Sequence, residues 1–393
     1  MSESLLIKNA RVLADHAPDR ADVLIAKGLI EQVGSIEAPA VQTIDARGRV
    51  LMPAFIDAHT HACWAGERLD EYDRQLAGAT YLEILEAGGG IMSTVRAVRA
   101  ATQSDLRDAL LARLGVMLRE GTTTVEVKSG YGLTAEHELK MLRAITDAGE
   151  RWAGTVVPTA CIGHALEPGT ENEQRAIIER TITETLDAVH AEFPDVTIDA
   201  YCEKGAWSLA DCERLFERAM SLGHPVRVHA DQFNSLGMID WAVANGVRSI
   251  DHLEATSPND LRTLAQSDTF GVMLPCSGLH LDQRYADGRT FLDAGGKLVI
   301  ATNCNPGSAP TSSMPFAIAM ATRGNRITAR EAIDACTANA AVLLGFEDRG
   351  IIAVVKRADL ILLRHTDERA LGHEFGGNPV DLVVCDGRVV DPA

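Results

Sequence analysis

Residues 50–61 read VLMPAFIDAHTH, a short apolar run that ends in two histidines, His59 and His61. An apolar run of this length, bounded by Pro53, is typical of a buried strand. Side chains alternate between the two faces of a strand, so residues two apart share a face. The two imidazoles are therefore predicted to point the same way at the end of a buried strand. There, their neutral ring nitrogens could share one zinc or iron ion.

The composition restricts the class of protein. The chain has 393 residues, 46% of them hydrophobic, so it can bury a large core. Its net charge of -18 argues against non-specific binding to nucleic acid and against an anionic membrane surface, since both favour a basic face. No stretch approaches the roughly 18 apolar residues of a membrane span, and no signal peptide is visible. The eight cysteines have no Cys-x-x-Cys spacing, which predicts reduced thiols and a cytoplasmic protein.

The two ends of the chain have the same pattern of short apolar runs separated by turn residues. We expect residues 1–52 and 347–393 to form the two parts of one small β-sandwich. The residues between them, 53–346, would form a central domain.

That central domain alternates strand and helix patterns, which predicts a (β/α)8 TIM barrel in the α/β class. The candidate strands are 54–58, 123–127, 155–160, 197–201, 226–229, 249–251, 271–274 and 298–301. In such a barrel the catalytic groups lie at the carboxyl ends of the strands. Five of the twelve histidines fall at the ends of these predicted strands, namely His59, His61, His164, His229 and His252. Their grouping predicts an active site at that face.

Several short motifs lie along the same strand ends. They are HTH at 59–61, AGER at 65–68, GATYLEI at 78–84, GGGI at 88–91, KSGYGL at 128–133, HADQ at 229–232, DHL at 251–253 and NPGS at 305–308. In these motifs the chain resembles the amidohydrolase superfamily of metal-dependent hydrolases. More closely, it is similar to the imidazolonepropionase family, whose members convert 4-imidazolone-5-propanoate to N-formimidoyl-L-glutamate in histidine degradation.

The resemblance implies a role for each matching residue. The expected ligands of one zinc or iron ion are His59, His61, His229 and the residue at position 303. The residues expected to hold a small substrate with a carboxylate tail are Arg68, Tyr131, His164 and Gln232, with Ser308 nearby. Those expected to contact the ring-opened product are Asn305 and Gly307, with Tyr131. His252 would lie close to the reacting carbonyl, and the resemblance makes a homodimer possible.

Elementary chemistry agrees with these roles. Opening a cyclic amide requires a nucleophilic water and a polarised carbonyl, and a metal ion supplies both. A neighbouring base must carry the proton from the water to the leaving nitrogen. The fork of Arg68 suits a carboxylate tail. Tyr131 lies between two glycines, which would let the backbone approach a ligand closely.

Position 303 departs from the superfamily pattern, because Asn303 stands where an Asp is expected. A carboxylate there would bind the metal and accept the proton, whereas a neutral amide offers only a weaker carbonyl oxygen. Three explanations remain open. The residue is an engineered substitution that traps substrate, or the chain uses His252 as its base on this or a related cyclic amide. Otherwise it is a catalytically silent homologue that binds a ligand.

Two further charged residues are assigned supporting roles. Lys128 follows the second predicted strand, whereas the carbamylated lysine of binuclear relatives belongs to a later strand, so Lys128 is predicted to be structural. Glu203 follows the fourth predicted strand and is expected only to support the site.

Overall fold

The structure is a computed structural model that describes residues 4–14, 20–40, 42–79, 83 and 89–390. The N-terminal strands are β1 (Ser4–Val12), β2 (Ala21–Ala26), β3 (Leu29–Gly34), β4 (Gln42–Asp45) and β5 (Val50–Pro53). The central strands are β6 (Phe55–Asp57), β7 (Thr122–Lys128), β8 (Thr155–Gly163), β9 (Thr197–Cys202), β10 (Val226–Ala230), β11 (Ser249–His252), β12 (Phe270–Met273) and β13 (Leu298–Ile300). The C-terminal strands are β14 (Leu360–Leu363), β15 (Val380–Cys385) and β16 (Arg388–Val389).

The central strands form one parallel sheet in which β6 to β13 pair in sequence order. Hydrogen bonds just beyond the strands join its two edges. Asn303 N donates to His59 O at 3.1 Å, and His61 N donates to Cys304 O at 3.0 Å. The Thr302 hydroxyl also donates to the buried Asp57 carboxylate at 2.5 Å. The predicted (β/α)8 barrel is confirmed. The backbone groups of His59 and His61 take part in the hydrogen bonds that join its two edges.

The strands of both chain ends form a second, mixed sheet in the order β16-β15-β14-β5-β1-β2-β3, with β4 also paired to β1. Strand β1 pairs with β4 through its first half and with β5 through its second half. Ile7, Val23 and Leu51 of the N-terminal end share one hydrophobic core with Leu360 of the C-terminal end. The predicted small β domain built from both ends is confirmed. Its boundaries at 52/53 and 346/347 stay predictions.

Residues 50–61 do not form the single strand that their apolar run predicts. Strand β5 pairs with β1 and β14 in the small domain, whereas β6 pairs with β7 in the barrel. The chain changes sheets at Ala54, whose N–H donates to Asp359 O at 2.9 Å. Pro53 has no N–H, so the ladder of the first sheet cannot continue through it. The run is uniformly buried because it passes from one core into the next.

Helices cover the outside of the barrel and follow most of its strands. They span Leu69–Leu76, Ile91–Ala100, Gln103–Arg119, Ala135–Arg151, Glu171–Arg180, Leu186–Glu192, Leu209–Ser221, Met238–Asn245, Pro258–Ala265, Pro275–His280, Gly288–Asp293, Met314–Gly324, Ala329–Ala335, Ala338–Leu343 and Ala370–His373. A π-helical turn at Thr181–Thr185 joins the helices Glu171–Arg180 and Leu186–Glu192. Among the described residues, no helix has the length and apolar character needed to cross a membrane.

Candidate active site

Three histidines converge at the carboxyl end of the barrel. His59 and His61 lie just beyond β6, and His229 lies in β10. The ring centroids of His59 and His229 are 4.5 Å apart, and His61 Nε2 lies 3.0 Å from His229 Nε2. One ring nitrogen of each histidine lies within 4.8 Å of the other two. The structure therefore brings together the three histidines predicted to bind one metal ion.

Two of these histidines each contact a buried carboxylate of their own through Nδ1. His59 Nδ1 is 2.6 Å from Asp251 Oδ2, and His229 Nδ1 is 3.0 Å from Asp199 Oδ1. A carboxylate that accepts the Nδ1–H fixes the tautomer of a neutral imidazole and leaves Nε2 free to bind metal. Sequence reasoning gave neither aspartate a role. The contact of Asp251 with His59 spans 192 residues of sequence, and that of Asp199 with His229 depends on the pairing of β9 with β10.

Two buried cations balance these carboxylates. Arg227 Nη2 donates to Asp251 Oδ2 at 2.7 Å, and Lys128 Nζ donates to Asp199 at 2.7 Å and to Glu126 at 2.8 Å. Burial opposes the charge of Asp199, but His229 and Lys128 together hold the pKa of that carboxyl well below its usual range. This paired network is consistent with a structural role for Lys128.

Burial keeps the histidines neutral. It lowers the pKa of His59 well below its usual value, and the Lys128 charge adds to the effect. Burial likewise lowers the pKa of His61, and the pKa of His164 falls to about 3. Neutral imidazole is the form that binds zinc or iron. The electrostatics of the site therefore suit metal ligation rather than a cluster of imidazolium ions.

The orphaned polar atoms of the site test whether these residues fit a metal ion. Among the described residues, His59 Nε2 and Asn303 Oδ1 are buried and have no hydrogen-bond partner. Unpaired buried polar atoms are costly, and they are rare in folded proteins. A cation shared with His61 and His229 would satisfy both atoms. The donor set, three imidazoles and an amide oxygen, fits a metal ion.

Asn303 itself is held in a constrained conformation. Its φ is 56°, in the left-handed region, and its Nδ2 donates to Ser277 Oγ at 2.7 Å. This hydrogen bond directs Oδ1 away from the serine. Oδ1 remains a neutral carbonyl acceptor, without the charge or the basicity of a carboxylate.

The histidines form the floor of a pocket of about 190 Å³. The lining residues are His61, Arg68, Gly90, Ile91, Tyr131, His164, Tyr201, His229, Gln232, Phe233, His252, Leu281, Asn303, Asn305, Gly307 and Ser308. All seven residues expected to hold substrate or product are among them. His59 is not among them, and its side chain is fully buried. No carboxylate lines this pocket in the described part of the chain.

The loop that carries Tyr131 is fixed by a buried glutamate. Glu138 accepts hydrogen bonds from the backbone N–H groups of Gly130 at 2.9 Å and of Gly132 and Leu133 at 2.7 Å each. A Cβ at Gly132 would lie 2.5 Å from Glu138 N, and a Cβ at Gly130 would lie 2.8 Å from His164 Nδ1. The glycines flanking Tyr131 were expected to make room for a ligand. In the structure they make room for neighbouring protein atoms.

Arg68 is held at the pocket rim by acceptors of its own. Its Nη2 lies 2.5 Å from Glu71 Oε2, and its Nη1 lies 3.4 Å from Thr94 Oγ1. Glu71 also accepts from Gly90 N at 3.1 Å. Arg68 Nε is buried and has no partner among the described residues. The guanidinium is thus oriented but retains a donor that a substrate carboxylate could use.

Asn305 organises the turn that follows β13. Its Oδ1 accepts from Gly307 N at 2.8 Å and Ser308 N at 2.7 Å, while its Nδ2 donates to Asn303 O at 2.6 Å. The side chain was predicted to contact the product. Because these bonds already occupy its amide, its position points to shaping the turn that places Gly307 and Ser308.

Two residues on the opposite wall are also held by partners. His164 Nδ1 lies 2.9 Å from Gly130 O, and Gln232 Oε1 accepts from the Tyr201 hydroxyl at 2.7 Å. Glu203 accepts from the backbone N–H groups of Phe233 at 2.8 Å and Asn234 at 3.1 Å. It therefore supports the loop beside Gln232, as its position after the fourth strand suggested.

Sequence reasoning assigned no role to five pocket-lining residues, namely Gly90, Ile91, Tyr201, Phe233 and Leu281. Gly90 and Ile91 belong to the GGGI motif at 88–91 and Phe233 follows Gln232, whereas none of the quoted motifs includes Tyr201 or Leu281. Five residues of the motifs at 78–84 and 88–91 lie outside the described residues, namely Thr80, Tyr81, Leu82, Ile84 and Gly88.

Comparison with known folds supports this architecture. A 5-methylcytosine deaminase from Klebsiella pneumoniae superposes with a TM-score of 0.77 at 17% identity, covering 98% of this chain and 97% of that one. A triazine hydrolase variant gives a TM-score of 0.76 at 20% identity, covering 98% and 94%. At these identities the likeness concerns the fold alone.

Sequence relatives are much nearer. Residues 50–390 match the amidohydrolase family. The imidazolonepropionase of Herpetosiphon aurantiacus is 43% identical over 387 residues, covering 95% of this chain and 91% of the relative. The imidazolonepropionase of Deinococcus radiodurans is 39% identical, covering 95% and 92%. The chain therefore belongs to the amidohydrolase family and, within it, to the imidazolonepropionases.

Proposed function

We propose that this chain hydrolyses 4-imidazolone-5-propanoate to N-formimidoyl-L-glutamate with one zinc or iron ion. The observation that carries the proposal is the shared pocket, where a three-histidine metal site lies below a rim formed by Arg68, Tyr131 and Ser308. The names of its relatives agree with this substrate. The metal would be held by His59, His61 and His229, with the Asn303 amide oxygen as a weaker ligand.

Once bound, the metal would lower the pKa of a water molecule towards roughly 7 and polarise the amide carbonyl. The other steps fall to side chains. Arg68 binds the propanoate tail, and Tyr131 and Gln232 hold the ring. As the water oxygen adds to the carbonyl carbon, His252 accepts the water proton. The ring C–N bond then breaks, and the departing nitrogen receives that proton from His252.

His252 is given the role of base because Asn303 cannot accept a proton. Of the histidines that line the pocket, His61 and His229 are metal ligands. The pKa of His164, about 3, makes it a poor proton acceptor at neutral pH. That leaves His252 among the described lining residues. A positioned base contributes about 100- to 10,000-fold to such reactions.

Asn303 also favours a second candidate, a protein that binds the cyclic amide without turning it over. The absence of any carboxylate among the described lining residues supports this alternative. Hydrolysis of a related cyclic amide through His252 is a further variant, since Arg68 would accept any nearby carboxylate. The proposed cellular location is the cytoplasm, and the eight free, buried cysteines support it. A homodimer stays a prediction.

The decisive experiment assays the metal-loaded chain and its Asn303→Asp variant side by side on imidazolone-propanoate. Turnover by the chain as given, lost in His252→Ala, supports hydrolysis through His252. Turnover only in Asn303→Asp supports a trapped enzyme that still binds substrate. If neither protein acts on any cyclic amide but both bind imidazolone-propanoate, the silent homologue is correct. A protein that neither binds nor hydrolyses this compound, even as Asn303→Asp, contradicts the substrate assignment.

A further inference from the structure

His252 forms a buried pair with a residue that has no role in the scheme above. His252 Nδ1 lies 3.2 Å from Glu254 Oε1, and the two side chains are 3% and 6% exposed. The His252 ring centroid lies 5.7 Å from that of His229 and 6.1 Å from that of His59. The His252–Glu254 pair therefore lies beside the histidines proposed to bind the metal, but neither residue is one of those ligands.

The backbone at this point is strained. His252 has a φ of 96° and Leu253 a φ of 73°, both in the region that favours glycine. Residues other than glycine rarely adopt such values, and strain of this kind tends to occur where function requires a fixed geometry. Leu253 is fully buried, so the turn is anchored in the core. The strained turn brings Glu254, two residues beyond His252, back against the imidazole.

The Glu254 carboxylate has few hydrogen-bond partners. Its Oε2 is buried and has no hydrogen-bond partner among the described residues, so the contact with His252 is the one hydrogen bond that the structure assigns to its carboxylate. A buried carboxylate with so few partners reduces stability. The carboxylate therefore contributes little to folding, and its one hydrogen bond is directed at His252.

The consequence for His252 is a defined tautomer. A neutral imidazole carries one N–H proton, and a carboxylate beside Nδ1 accepts a hydrogen bond only if Nδ1 carries that proton. The other nitrogen, Nε2, then carries no proton and can accept one. His252 lines the pocket. A base that receives a proton from water needs this tautomer. The opposite one would present an N–H to the water.

We propose that Glu254 is a positioning residue that fixes His252 as the Nδ1–H tautomer, so that Nε2 can act as the proton acceptor in place of the missing carboxylate at 303. The catalytic part of this inference rests on the proposed hydrolase function. The tautomer does not, because it is a property of the folded chain with or without turnover.

The first test reads the tautomer directly. Two-bond ¹⁵N–¹H spectra of histidine-labelled, metal-loaded protein are compared for the parent chain, Glu254→Leu and Glu254→Gln, with the His252→Ala variant assigning the signal. We expect Nδ1 to be the protonated nitrogen in the parent. Glu254→Leu should give a mixture of tautomers, because no acceptor remains, and Glu254→Gln should keep the bond through its amide oxygen. Glu203→Gln, a buried carboxylate change that does not touch His252, should leave the signal unchanged.

The second test separates positioning from folding. If the chain as given turns over, loss of the carboxylate should lower kcat by roughly 100- to 10,000-fold, with Glu254→Leu worse than Glu254→Gln. KM should stay within about threefold and metal content should be unchanged, because Glu254 touches neither substrate nor metal ligands.

The outcomes distinguish two failures. An inactive parent chain with the Nδ1–H tautomer contradicts the proposed turnover but retains the positioning of His252. An Nε2–H tautomer in the parent, or a Glu254→Leu variant with the parent's tautomer and kcat, overturns the inference itself.

Discussion

The carboxylate behind His59 is expected to control metal affinity, and Asp251→Asn tests this. Asp251 Oδ2 accepts from His59 Nδ1 at 2.6 Å and from Arg227 Nη2 at 2.7 Å, while Oδ1 accepts from Ser249 at 2.5 Å. An asparagine keeps one acceptor for His59 but removes the charge. A hydrogen bond to a charged group is worth about 1.5–3 kcal/mol, against about 0.5–1.5 for a neutral pair. The loss of about 1–1.5 kcal/mol corresponds to roughly tenfold weaker binding.

Loss of outer partners of metal-binding histidines typically costs about 10- to 100-fold in metal affinity, so the expected weakening lies in that range. The assay is competition for zinc against a coloured chelator. Thermal unfolding without metal is measured in parallel to show that the variant folds. Glu203→Gln is the matched control, a buried carboxylate that touches none of the metal histidines. An Asp251→Asn variant that folds and binds zinc as tightly as the parent would refute the reasoning.

Three further predictions follow from the same contacts. Arg68→Ala should raise KM for the carboxylate substrate roughly 10- to 100-fold, the value of a charge-assisted hydrogen bond of about 1.5–3 kcal/mol, while a substrate without the tail should show no such change. Glu138→Ala leaves three buried N–H donors without an acceptor, at about 1–3 kcal/mol each, so urea unfolding should show a loss of several kcal/mol; a loss below about 1 kcal/mol would contradict this. Burial raises the pKa of the Cys63 and Cys385 thiols to about 12, so a thiol reagent at pH 8 should find no rapidly reacting cysteine in the native chain and eight after unfolding.

The elements predictable from sequence were those defined by local patterns. The eight barrel strands follow from short apolar runs between helices, and His59 and His61 follow from their spacing after one such run. The break at Pro53 was visible as a residue, but whether the chain bends or changes sheets there depends on the pairing of β5 with β14. That pairing joins residues some 300 positions apart.

The residues that support the metal histidines and the pocket loops were less predictable, because their contacts depend on the folded structure rather than on a local pattern. Asp251 contacts His59 across 192 residues of sequence, and no local pattern marks that contact. Lys128 was recognised as structural only from the family resemblance, and its pairing with Asp199 depends on the order of β7, β8 and β9 in the sheet. The role of Glu138 was hidden because a glutamate in the first turn of a helix is usually explained by the helix dipole.

The most direct test of the hydrolase assignment is one activity measurement. The chain as given is loaded with zinc or iron, and the formation of N-formimidoyl-L-glutamate from imidazolone-propanoate is followed beside His252→Ala. Hydrolysis through His252 predicts measurable turnover in the parent that falls by roughly 100-fold or more in the variant. Equal rates in the two proteins, or turnover that appears only after Asn303→Asp, would contradict it.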